Sequence, residues 1–268
     1  MDPLYDTHAH LDFPDFNEDR EQVIQRARAA GITKIITVGT DLTSSRQALA
    51  LAEQHEGIHA VVGWHPSHVT EAPADIRPAL RELARHPKTA ALGETGLDYH
   101  RLPSAKSGGS AADDAAYKSR QAELFRQHLE VAAETGLNCV IHQRDALEDT
   151  LAVFQPFANR VRGVFHCFVN DTATMRRILD LNSLVSFTGV ATFKNAQEVR
   201  DTLAATPLGS FMLETDCPYL APVPYRGKRC EPAYVRDLSK VVLQVKGCTE
   251  SELSAATCAT AEKFFRGL

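Results

Sequence analysis

Short apolar runs alternate with amphipathic segments along the chain, and the alternation repeats eight times. Runs rich in Val, Ile, Leu and Ala predict strands near 4–10, 34–40, 59–66, 89–96, 138–143, 162–169, 184–190 and 210–216. Between them, apolar positions at three- and four-residue spacing predict helices over 21–30, 44–55, 76–86, 120–135, 146–157, 172–181, 196–205 and 233–245. A further helix over 250–265 is expected to pack on the outside. Gly31, Gly57, Gly136 and Gly247 stand where four of these helices should stop, as C-capping glycines do.

Eight βα units in 268 residues fit an α/β fold of one particular kind, a closed (β/α)₈ TIM barrel forming one domain over 1–268. An open, doubly wound sheet could use the same units. It offers no reason, however, for polar residues at the ends of so many strands, whereas a barrel gathers all those carboxyl ends on one face. The one long interruption, 99–117, is small and polar, and a loop of that length is usually functional or mobile. Its centre is expected to be mobile, with residues 98–101 nearer the chemistry.

Composition narrows the setting. Hydrophobic residues make up 44% of the chain, enough for one large core. The opening residues lack the basic and apolar regions of a secretory signal, and no apolar stretch approaches the ~20 residues that span a bilayer. Six cysteines form no Cys-x-x-Cys pair, which suits free thiols in a reducing cytoplasm. The net charge of −5 excludes a global basic field for holding duplex nucleic acid, so any such contact must be local.

The candidate chemistry sits at the strand ends. His8 and His10 close the first run, Glu94 the fourth, His142 and His166 the fifth and sixth, and Asp216 the eighth. Positions i and i+2 of a strand share a face, so His8 and His10 can reach one cation together. Alone, a strand-end histidine is more often a hydrogen-bonded core residue, and an aspartate shortly before Pro218 is more often a turn residue. Convergence of six nitrogen and oxygen donors reverses that balance and points to about two divalent ions, Mg²⁺, Mn²⁺ or Zn²⁺. Glu94 can bridge two ions through its separate oxygens, and Asp216 can serve as the general base. Glu214, deeper in the eighth strand, reads as a buried hydrogen-bonding carboxylate.

The motifs Asp-Thr-His-Ala-His-Leu-Asp (6–12), Gly-Trp-His-Pro (63–66), Gly-Glu-Thr-Gly-Leu-Asp-Tyr (93–99) and His-x-Arg-Asp-Ala (142–146) resemble those of TatD-family metal-dependent deoxyribonucleases. So do His-Cys-Phe (166–168) and Glu-Thr-Asp-Cys-Pro-Tyr-Leu-Ala-Pro (214–222), followed by Tyr-Arg-Gly-Lys-Arg (225–229) and Glu-Pro-Ala-Tyr-Val (231–235). The resemblance runs nearly end to end and in the family's order. It implies a (β/α)₈ hydrolase with His8 and His10 on one metal, Glu94 bridging, His142 and His166 on the second, and Asp216 completing the first. It further implies nuclease activity with 3′ to 5′ polarity, and a substrate or phosphate contact for His65. The chain departs from the family in a longer insertion around 104–114 and in Cys230, where many relatives carry Asn. Both departures are expected on substrate-facing loops.

Arg226, Lys228 and Arg229 follow Asp216 closely and, with Arg144, are candidates for phosphate binding. Three charges on a loop are more usually a solvated surface. Tyr99, Tyr219 and Tyr225 flank the same region, where they would either stack a base or pack the loops. The leading expectation is a phosphodiesterase acting on single-stranded DNA ends. Hydrolysis of a carbon ester or amide by the same metal centre is the alternative, since fold does not choose the electrophile. A metal-stabilised binding protein without turnover is disfavoured by the intact donor set.

Overall fold

The computed structural model describes residues 1–105 and 108–268. The chain runs β1 (Leu4–Ala9), α1 (Arg20–Ala29), β2 (Ile32–Val38), α2 (Leu42–Gln54), β3 (Ile58–Val62), α3 (Arg77–Ala84), β4 (Thr89–Asp98) and α4 (Ala111–Thr135). It continues with β5 (Cys139–Arg144), α5 (Leu147–Phe154), β6 (Gly163–Phe165), α6 (Thr172–Asp180), β7 (Leu184–Phe187), α7 (Gln197–Ala205), β8 (Phe211–Leu213), α8 (Val235–Lys246) and α9 (Glu250–Phe264). The eight strands are parallel and pair strictly in chain order. A bridge between Ala9 and Cys217 joins the two edges, where Asp216 N–H donates to the His8 carbonyl (2.8 Å) and His10 N–H to that of Cys217 (2.9 Å). The sheet thus closes as a TIM-type barrel, the architecture that the strand count implied.

Alternation along the strands sorts the core into two layers. Ile36, Val38, Val61, Val140, Val164, Leu184 and Met212 form one buried cluster, while their neighbours Ile35, Val62, Ile141, Phe165, Val185 and Leu213 pack in the larger cluster beneath the helices. The helix over 250–265 does more than cover the outside. Phe264 and Phe265 join the smaller cluster, and Asn138 Nδ2 donates to the Phe264 carbonyl (2.6 Å) beside the start of β5. Two aromatic side chains so placed close the end of the barrel opposite the polar strand termini.

Two expectations need correction. Helix α4 begins at Ala111, within the stretch read as loop, because Ser110 and Asp113 form a reciprocal capping box. The centre of that stretch, read as mobile, includes residues 106–107, which lie outside the described residues. Gly57 is not a helix cap, since α2 ends at Gln54. A Cβ there would lie 2.5 Å from the Thr33 carbonyl oxygen, so a close approach of α2's exit to β2 requires the glycine. Gly136 and Gly247 do cap α4 and α8 in the left-handed conformation. No helix among the described residues is long and apolar enough to cross a membrane.

Candidate metal centre

The geometry of the centre starts with Glu94. Pairing between β4 and β5 slips between Leu92 and Thr95, and such an irregularity re-aims a side chain. Gly93 and Gly96, both at positive φ, flank it; a Cβ on either would collide with the Val140 or His142 carbonyl oxygen. The Gly-Glu-Thr-Gly motif therefore lets β4 lie against β5 while Glu94 turns inward, almost fully buried.

The two carboxylate oxygens of Glu94 face different sets of imidazoles. On one side, Oε2 lies 3.3 Å from His8 Nε2 and 3.8 Å from His10 Nε2, and Asp216 Oδ1 lies 3.7 and 3.4 Å from the same nitrogens. On the other, Oε1 lies 2.7 Å from His166 Nε2, 2.8 Å from His142 Nδ1 and 3.4 Å from His65 Nε2. His8, His10 and Asp216 make one group of donors within 4.8 Å of one another, and His65, Glu94 and His142 another; a third, His8, Glu94 and His166, links them. The six donors expected at the strand ends are thus brought together, and His65 joins them.

Hydrogen bonds behind the ring nitrogens support metal binding. His10 Nδ1 sits 2.8 Å from the Val38 carbonyl, which can only accept, so Nδ1 carries the proton and Nε2 turns a lone pair toward the centre. His142 Nε2 meets Asp98 Oδ2 at 3.1 Å, which likewise frees its Nδ1. His8 Nε2 and His10 Nε2 are 3.3 Å apart, an arrangement that a shared cation satisfies. His65 differs. Its Nδ1 accepts the Ser67 backbone N–H (3.0 Å), so the neutral ring carries its proton on Nε2 and presents a donor. Burial draws His65 down to about 4, more than Glu94 raises it, so the ring is neutral. That chemistry matches a substrate contact better than a metal ligand.

The electrostatics are those of a charge-balanced centre. Burial acts to raise Glu94, but the surrounding imidazoles, His166 foremost, hold it well below the usual carboxylate range. Burial likewise opposes ionisation of Asp216, and the His10 bond, with His166 nearby, overcomes it. Burial acts to lower His10, yet Asp216 and Glu94 raise it to about 9, so a cation that takes the Nε2 lone pair must displace a proton from it. Both carboxylates are therefore ionised, as ligation requires. Beneath them, fully buried Asp6 accepts from Thr215 N (2.9 Å) and Thr215 Oγ1 (2.6 Å), tying β1 to the segment that carries Asp216. Asp216 itself has φ +59°, and Asp145, Cys167 and Leu220 at neighbouring strand ends also have positive φ. Such conformations cost of order 1–3 kcal/mol each and persist where surrounding structure enforces them.

A cleft of about 700 Å³ opens above the centre, lined among others by His10, His65, Glu94, His142, His166 and Asp216. Arg144 lines it as expected; Arg226 and Arg229 do not. Arg229 instead pairs with Asp19 (2.7 and 2.8 Å) and donates to the Asp15 carbonyl (2.6 Å), and Arg226 stacks on Phe193 at 3.7 Å. Closeness to Asp216 in sequence misleads here, because the loop folds back against α1 and the segment after β7. Cys230 is also turned away: it is fully buried, with its N–H on the Pro218 carbonyl. Glu214 is buried as expected, accepting from Cys167 N at 2.7 Å. Residues 98–101 do lie near the chemistry as expected, Asp98 facing His142 and Arg101 lining the cleft, although nothing in the sequence assigns either residue a role of its own.

Comparison with known proteins converges on one family. The family described as TatD related DNase matches residues 5–266. An uncharacterized metal-dependent hydrolase of Bacillus subtilis, YabD, is 36% identical over 98% of this chain and 99% of its own length. A protein of Erwinia tasmaniensis named 3′-5′ ssDNA/RNA exonuclease TatD is 31% identical over 98% of this chain and 99% of its own. The crystal structure of the TatD homologue YjjV from Escherichia coli superposes with a TM-score of 0.88 at 27% identity, covering 98% of this chain and 97% of that one.

Proposed function

Given that this chain belongs to the TatD family of metal-dependent hydrolases, we propose that it is a phosphodiesterase that removes nucleotides from the 3′ ends of single-stranded DNA. The observation that carries the reading is Glu94, one buried carboxylate whose two oxygens face two separate sets of histidines. That is the layout for about two divalent ions. On one side it pairs with His8, His10 and Asp216, on the other with His142 and His166. Mixed nitrogen and oxygen donors suit zinc or manganese, with magnesium favoured where carboxylate and phosphate dominate.

Such ions, when bound, supply Lewis acidity toward a phosphoryl oxygen and make water acidic near neutrality. The protein's own groups do the rest. Asp216, ionised and lining the cleft, takes the proton from the attacking water. His65, neutral and carrying its proton on Nε2, donates to a phosphate oxygen. Arg144 adds a guanidinium at the rim. A recessed cleft in an acidic protein favours a flexible strand end over a duplex flank, and the relatives named as 3′-5′ ssDNA/RNA exonucleases support the polarity.

The test is metal-reconstituted protein on 3′- and 5′-labelled single-stranded, duplex and circular DNA, beside ester and amide substrates. Stepwise loss from the 3′ end of linear single strands is expected, with circles intact. Equal digestion of circular and linear strands would remove the end requirement. Turnover confined to esters or amides would transfer the centre to carbon chemistry.

A further inference from the structure

The rim of the cleft is divided by chemistry. In a ring of eight strands paired in order, β8 and β1 lie opposite β4 and β5. Above β8 and β1 the lining is aromatic and aliphatic: Phe13, Tyr219 and Leu220, continued by Val169 and Val190 above β6 and β7. Above β4 and β5 stand Arg101 and Arg144, both exposed. Tyr219 and Val169 are 55% and 47% exposed, two of five exposed large hydrophobic residues among the described residues, and both border the same cleft. An apolar surface left in water beside a polar centre is a mark of ligand contact.

Four tyrosines stand near the mouth and are not equivalent: Tyr117 lines the far wall, where its hydroxyl donates to the Ser67 carbonyl (3.4 Å). Tyr99 donates to Asp149 (2.9 Å), and Tyr225 lies flat on Tyr234 with centroids 4.1 Å apart. Neither lines the cleft. Tyr219 does, and its ring is steadied edge-on by Phe13 at 6.4 Å, which stacks in turn on His10 at 4.6 Å. This aromatic ledge runs directly to the candidate metal ligands. On the opposite wall, neither Arg101 nor Arg144 forms an ion pair among the described residues, unlike Arg229.

We propose that the cleft orients a single strand across the barrel mouth, with the terminal nucleobase stacked on Tyr219 above β8 and β1 and the following backbone phosphates running over Arg101 and Arg144 above β4 and β5. The proposal rests on the nuclease reading. The scissile phosphate then falls between the walls, over Glu94. Stacking tolerates any base, since each offers a π face, so Tyr219 distinguishes nucleotides from base-free phosphodiesters rather than one sequence from another. The arginines add phosphate contacts whose contribution depends on salt.

The experiment compares two labelled oligonucleotides on the metal-loaded enzyme, one ordinary and one whose 3′-terminal residue is abasic. Wild type should favour the ordinary strand in kcat/KM by roughly 5- to 150-fold, the range that stacking one base gives. Tyr219→Ala should erase that preference by lowering kcat/KM for the ordinary strand to the level of the abasic one, and Tyr219→Phe should restore it. Arg101→Ala with Arg144→Ala should raise KM for both strands alike and flatten its salt dependence. A 2-aminopurine placed at the 3′ terminus, with a phosphorothioate at the last linkage, should lose fluorescence on binding wild type and keep it with Tyr219→Ala. Equal use of both strands by wild type would overturn the proposal, as would loss of the preference in Tyr117→Ala instead, because Tyr117 lines the opposite side. Absence of hydrolysis on either strand would sink the nuclease reading, while the fluorescence arm would still decide the stacking.

Discussion

Replacing Asp98 by asparagine should weaken one half of the metal centre while sparing the other. Asp98 uses its two oxygens separately: Oδ2 faces His142 Nε2 at 3.1 Å, and Oδ1 accepts the His100 N–H at 2.9 Å. Asparagine has one accepting oxygen, so it can keep only one of these bonds in the native geometry. If the oxygen stays with His100, the amide N–H₂ meets His142 Nε2–H, donor against donor. Relief then requires His142 to move its proton to Nδ1, the nitrogen that faces Glu94 and His166. A protonated nitrogen cannot ligate. Loss of such an outer carboxylate typically weakens metal binding about 10- to 100-fold, or about 1.4–2.7 kcal/mol. The donors His8, His10 and Asp216 make no contact with Asp98, so the ion they hold should be little affected. Chelator competition or calorimetry on the reconstituted variant, with circular dichroism to confirm folding, reads the outcome. A folded Asp98→Asn protein binding both ions at wild-type affinity would refute the assigned tautomer and the role of His142 Nδ1.

Glu94→Gln should lose at least one ion by elemental analysis, because an amide cannot offer two anionic oxygens to two sites; full stoichiometry would end the bridging assignment. Arg229→Ala should cost about 1 kcal/mol of stability in urea titration and leave KM for DNA unchanged, since the residue pairs with Asp19 and lies off the cleft. Acid should destabilise the protein through His128, fully buried on α4, whose Nε2 accepts the Trp64 N–H (2.9 Å). Burial draws it down to about 4, more than its bond to Leu124 raises it. A depressed histidine contributes stability that is complete above its ordinary value near 6.5 and is lost as pH falls toward 4, about 3 kcal/mol in all. Wild type and His128→Gln should therefore converge in unfolding free energy over that window, and a constant difference would remove His128 from the account.

Much of the barrel could be read from the residues because each strand is an apolar run that stops at a polar donor. Parallel strands buried on both faces leave that signature, and five of the stops supply the six histidines and carboxylates that now meet at Glu94. What escaped was held by contacts remote in sequence. The first turns of α4 are polar and exposed, so they carry no apolar stripe; their one signal was Ser110 with Asp113 three residues on. Asp98 reads as a loop aspartate until β5 brings His142 beside it. Arg229 reads as a phosphate ligand until Asp19 appears as its partner, 210 residues earlier in the chain. His128, mid-helix, gave no hint that it would accept an amide from the end of β3.

Closure of the barrel has a consequence for the protein's biosynthesis. His8 and His10 emerge from the ribosome well ahead of Thr215 and Asp216, and Thr215 meets Asp6 across 209 residues. Until β8 docks on β1, one set of candidate donors lacks its carboxylate and the ring has two open edges. Chain order here acts as a timer, since contacts of such long sequence separation form only after the intervening polypeptide exists. A nascent chain stalled before residue 211 would carry four of the histidines and Glu94 without Asp216, so one donor set stays open until β8 has been made.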